Sequence, residues 1–72
     1  MQQELIDMAI QQEGEGKAKW GHIDHAPTDL MIAITEEIGE VAHAINHSEG
    51  SPAIKQEIAE VVGLLSRLYD MS

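Results

Sequence analysis

The sequence contains no cysteine and no phenylalanine, one tryptophan, one tyrosine and only four lysines and arginines among its 72 residues. Without cysteine there is no disulfide framework and no thiolate metal site, which is compatible with a reducing cytoplasm. With so few aromatics, any core is aliphatic. Thirteen acidic residues against four basic ones give a formal charge of -9. Such a chain repels phosphate backbones and anionic membrane surfaces, which argues against direct nucleic-acid binding. No apolar run approaches the roughly 20 residues needed to cross a bilayer, and Met1-Gln2-Gln3-Glu4 lacks the basic start of a signal peptide. These absences predict a soluble cytoplasmic protein with neither nucleic acid nor membrane as a direct partner.

The length fits one small domain, residues 1–72. A domain of this size buries only about 60% of its unfolded surface. With no disulfide and no Cys/His zinc pattern to staple it, oligomerisation is the remaining route to a sufficient core.

The periodicity predicts an all-α fold. A first, shorter helix is expected over about residues 2–13, with Leu5, Met8 and Ala9 on one stripe and Ile6 and Ile10 on another. From Gly14 to Pro27 the pattern breaks at Gly14, Gly16, Gly21 and Pro27, so this stretch reads as a loop holding Lys17, Lys19, Trp20, His22 and His25. A second helix is expected from about Asp29 to Asn46, entered through Thr28 as N-cap or Pro27 as first-turn residue, with Leu30, Ile34, Ile38, Val41 and Ile45 forming a buried stripe. The third opens with Ser51 as N-cap and Pro52 at its first position, then turns Ile54, Ile58, Val61, Leu65 and Leu68 to a core. Only a few residues separate the last two helices, which favours an antiparallel two-helix hairpin. Its two apolar stripes exceed what one short helix covers. The expected assembly is therefore a homodimer or homotetramer that completes a four-helix-type bundle.

Glu37 with Glu40 and Glu57 with Glu60 share one spacing and lie at mirror positions about Ser48-Glu49-Gly50-Ser51. In an antiparallel hairpin, residues at equal height have a constant position sum. Glu37 with Glu60 and Glu40 with Glu57 satisfy that condition, so four carboxylates are expected to converge. Projected at about 100° per residue, Glu57 falls inside the apolar arc of its helix, between Leu64 and Leu68. A carboxylate there needs a partner. Lys55 projects away and Arg67 lies two turns along, so neither neutralises four acids. Hard divalent cations take all-oxygen shells, and Mg2+ combines a few carboxylates with water and phosphate oxygens. The alternative is a solvated acidic edge, which would not set Glu57 among leucines.

Glu36-Glu37-Ile38-Gly39-Glu40 followed by Glu57-Ile58-Ala59-Glu60 resembles the EExxE...ExxD signature of the all-α MazG-like nucleoside triphosphate pyrophosphohydrolases. Lys19-Trp20-Gly21 ahead of the second helix strengthens the likeness, which covers about residues 15–70, and Glu60 stands where that family carries Asp. The resemblance implies hydrolysis of a (deoxy)nucleoside triphosphate to the monophosphate and pyrophosphate, with housecleaning of non-standard nucleotides as one such role. It implies Mg2+, with Mn2+ as a substitute, held by Glu37, Glu40, Glu57 and Glu60. Glu36 would be a further ligand or orient the attacking water beside Glu37.

Trp20 suits stacking on a nucleobase, with Lys17 or Lys19 on a phosphate and His22 on the base or sugar. The competing reading is that Trp20 anchors the loop and the lysines are solvated. Two other functions remain open. Glu36, Glu40, His43 and His47 share an arc of about 60°, and Glu40-Val41-Ala42-His43 is the Glu-x-x-His step of ferritin-like di-iron bundles. A non-catalytic helical interaction module is the third reading.

Overall fold

The computed structural model describes the backbone of residues 1–20 and 26–72 and the side chains of residues 1–16 and 26–72. It is all-α, with α1 over Gln3–Trp20, α2 over Pro27–Asn46 and α3 over Ser51–Met71. No helix among the described residues is long and apolar enough to cross a membrane.

α2 begins at Pro27, whose missing N–H is one of the donors a helix start leaves unsatisfied anyway. Ala26 is the N-cap and carries no side-chain acceptor. Asp29 supplies the returning contact, its Oδ2 accepting the Ala26 N–H at 3.3 Å. α3 starts one residue earlier than expected, with Gly50 rather than Ser51 as N-cap. Gly50 sits at φ +96, in the left-handed region where a Cβ is unfavourable, so it takes the turn and releases Ser51 into the helix.

The expected loop after residue 13 is instead helix as far as Trp20. Each glycine costs a helix interior about 1 kcal/mol relative to alanine. Packing outweighs this: α1 lies against α3, with Gln12, Glu13 and Gly16 half-buried. Lys17, Lys19 and Trp20 thus stand on the last turn of α1, while their side chains, and all of Gly21, His22 and His25, lie outside the described residues.

α3 is the central element, with α1 and α2 both packed on it. Its buried line is Ala59 and Gly63, one turn apart, where short side chains admit a neighbouring backbone. Opposite them Ala9 of α1 is buried. On α2, Leu30, Ile34 and Ala44 are buried, but Ile38 and Ile45 are 54% and 55% exposed. Ile58 and Leu65 of α3 are likewise exposed at 37% and 45%. The two stripes are therefore not core along their whole length. Ile38, Val41 and Ile45 face Ile58, Val61 and Val62 across an apolar groove of about 340 Å³.

Candidate metal centre

The carboxylates of Glu37, Glu57 and Glu60 each present an oxygen within 4.8 Å of the other two. α2 supplies the first and α3 the other pair, whose three-residue spacing puts both on one side of the helix. All three side chains are half-buried. Within Glu37 the burial is uneven: its Oε2 is removed from solvent and has no hydrogen-bond partner. A buried, unpartnered carboxylate oxygen is unfavourable by itself, so the site calls for a proton or a cation.

The electrostatics follow from that placement. Glu37 is pushed up to about 8 from its ordinary value of 4.5 by burial first, then by the nearby carboxylate and charge of Glu60, with those of Glu57 adding the same effects. Glu57 is also raised, by burial and then by Glu60, and by the charge of Glu40 beyond it. Glu37 beside it acts in the opposite sense and offsets part of the rise. A proton or a divalent cation would each relieve this repulsion. Three hard oxygen donors with no nitrogen or sulfur fit Mg2+ or Mn2+.

The cluster opens into a cavity of about 390 Å³, walled by Gln12, Glu13 and Gly16 of α1, Glu37 of α2, and Glu60 and Arg67 of α3. Arg67 reaches across α1 at Gly16, where an added Cβ would stand 3.8 Å from its Nη1. An acidic floor beside one guanidinium is suited to a cation together with an anion, since a guanidinium matches phosphate or carboxylate oxygens.

The sequence leads one to expect Glu37, Glu40, Glu57 and Glu60 to converge; the structure brings Glu37, Glu57 and Glu60 together. Glu40 is exposed and stands outside the three-carboxylate group, near enough for its charge to act on Glu57. Glu36 is exposed and also outside it. His43 Nε2 lies 3.5 Å from a Glu49 oxygen. The wall from α1 was missed. Its signal was the spacing of Gln12, Glu13 and Gly16 on one helical face, hidden because glycines at 14 and 16 read as breakers. The side chains of Lys17, Lys19, Trp20 and His22 lie outside the described residues.

Comparison with protein-family models, curated proteins and solved structures gives no match.

Proposed function

We propose that this chain is a metal-dependent nucleoside triphosphate pyrophosphohydrolase. The single observation that carries the reading is the buried, unpartnered Oε2 of Glu37 inside a group of three carboxylates. A solvated acidic edge leaves no such oxygen. In this reading Glu37, Glu57 and Glu60 hold Mg2+ or Mn2+, with Glu40 joining from the margin. When bound, the ion polarises a phosphoryl oxygen and lowers the pKa of a coordinated water. Glu36 or Glu37 orients the attacking water through a carboxylate oxygen. Arg67 contacts a phosphate oxygen within the cavity, and Lys17, Lys19, Trp20 and His22 serve the remaining phosphates, the base and the sugar. The products are the monophosphate and pyrophosphate. Location in the cytoplasm, where such nucleotides are made and used, belongs to the same proposal.

The assembly is part of it. Exposed Ile38, Ile45, Ile58 and Leu65 favour a homodimer or homotetramer in which antiparallel α2–α3 hairpins complete a four-helix-type bundle. Contiguous apolar surface of this kind marks an interaction site. Light scattering is expected to give a multiple of the 7.9 kDa chain mass.

A panel of nucleoside and deoxynucleoside triphosphates incubated with Mg2+ tests the chemistry. Pyrophosphate and monophosphate in equal amounts are expected from at least one of them. Orthophosphate as the sole product, or no turnover by the metal-loaded protein, would overturn the assignment.

A further inference from the structure

We propose that His43, His47 and Glu49 form a second cation site, separate from the carboxylate group and selective for a divalent transition ion such as Zn2+, Ni2+ or Cu2+. His43 stands in the last turn of α2 and His47, four residues on, is its C-cap, so the two leave the helix end on one side, near the spacing by which helical His pairs bind zinc. Here the rings already lie side by side, with centroids 4.0 Å apart and planes 26° from parallel. A third donor stands close by: a Glu49 carboxylate oxygen lies 3.5 Å from His43 Nε2, and a turn of the exposed His47 ring would bring one of its nitrogens to that pair.

Glu49 is not there by chance of an extended side chain. α2 ends in a Schellman motif, in which the Glu49 N–H donates to the Ala44 carbonyl at 3.0 Å and the Ser48 N–H to the Ile45 carbonyl at 3.2 Å. Ser48 takes the left-handed conformation this requires, at φ 51. The turn folds Glu49 back beside the last turn of α2, where both imidazoles stand. A helix C-terminus carries the negative end of the helix dipole, which favours a cation there.

The donor set decides the class of ion. Imidazole nitrogens suit zinc, copper and nickel, whereas magnesium and calcium prefer oxygen alone. Two nitrogens and one carboxylate oxygen are the protein ligands of many zinc sites that keep a position open to water. His43 and Glu49 side chains are 56% and 42% exposed. The rings are therefore free to turn from stacked to convergent on an ion about 2 Å from each nitrogen. Six residues separate His43 from Glu37, which is about 9 Å along α2 and about 120° around it. The two sites are distinct, and loss of one does not entail loss of the other.

Titrating the tag-free full chain with Zn2+ at pH 7.5, by calorimetry and by NMR of the histidine ring protons, tests the proposal. The ring signals of His43 and His47 are expected to shift together on adding Zn2+ and to stay unmoved by Mg2+. His43→Ala or His47→Ala is expected to weaken Zn2+ binding by about tenfold or more, and Glu49→Gln by less. Glu37→Gln is expected to leave these shifts intact. Should Zn2+ move the signals of His22 and His25 instead, or bind the His43→Ala/His47→Ala chain as tightly as the unaltered one, the site is overturned. The ring shifts in the unaltered chain decide the matter even if an alanine variant folds poorly.

Discussion

Gly63 of α3 faces the backbone of Ala9 so closely that a Cβ on Gly63 would stand 3.2 Å from the Ala9 carbonyl oxygen and 3.4 Å from the Glu13 nitrogen. The atoms in the way belong to a helix backbone and cannot swing aside as a flexible side chain does. α1 is thus docked on α3 at a separation that glycine meets freely and that a Cβ would meet only if α1 gave way by a few tenths of an ångström.

Substituting this position separates packing from propensity. Gly63→Ala gains about 1 kcal/mol of helix propensity but meets an overpacking cost of about 1–3 kcal/mol, so a net loss near 1 kcal/mol is expected. Gly14, in α1, has nothing within 4 Å of an added Cβ. Gly14→Ala is therefore expected to stabilise by about 0.5–1 kcal/mol. Urea unfolding of the two variants checks both signs, and equal stabilisation by both would mean that α1 does not dock at Gly63.

Glu37→Gln is expected to move activity and stability in opposite directions. It removes a ligand charge, so metal-dependent hydrolysis is expected to be lost. Without metal it also spares the folded chain the proton that Glu37 otherwise takes up near neutral pH, a gain of order 1 kcal/mol, held small by solvent screening of half-buried groups. For a domain of this size that corresponds to a melting temperature about 4–8 °C higher in EDTA. Added Mg2+ should reverse the order. A variant that melts lower than the unaltered chain in EDTA, or keeps full activity, would make these glutamates ordinary surface charges.

The pH dependence follows from the same group. The carboxyl of Glu37 is pushed up to about 8 from 4.5, so the folded metal-free chain holds a proton that the unfolded chain releases. Its contribution to stability is present in full below about 4.5 and is lost as the pH rises through about 8. Glu57, raised as well, adds to the same trend. Melting temperatures in EDTA are expected to fall between pH 5 and 8.5, less steeply in Glu37→Gln. An equal slope in the variant would show that other groups carry the effect.

Ser48 holds a left-handed conformation that costs a side-chain-bearing residue about 1–2 kcal/mol and glycine almost nothing. Ser48→Gly is expected to stabilise by about 1 kcal/mol, after the greater backbone freedom of glycine in the unfolded chain is set against the relief. Thermal and urea unfolding at pH 7.5 measure it. Destabilisation would mean that the turn is not held in this conformation.

The amino-acid sequence by itself determined α2 and α3 to within one or two residues at their starts, because Pro27 and the Gly50-Ser51-Pro52 run act locally through missing donors and restricted φ. It also determined that Glu37 meets Glu57 and Glu60, because helical spacing and a short connection set which residues share a height. Only the tertiary structure decided that α1 runs through Gly14 and Gly16, since the penalty of those glycines is local while the packing of Gln12 and Glu13 on α3 is not. It likewise decided which part of each apolar stripe is core: Leu30 and Ile34 are covered while Ile38, Ile45, Ile58 and Leu65 are not. Hydrophobic spacing states that a residue prefers burial; the surface that buries it, or leaves it open, comes from another part of the chain. The orphaned oxygen of Glu37 has the same origin, since the periodicity places a carboxylate at the core boundary and only packing removes one of its two oxygens from water.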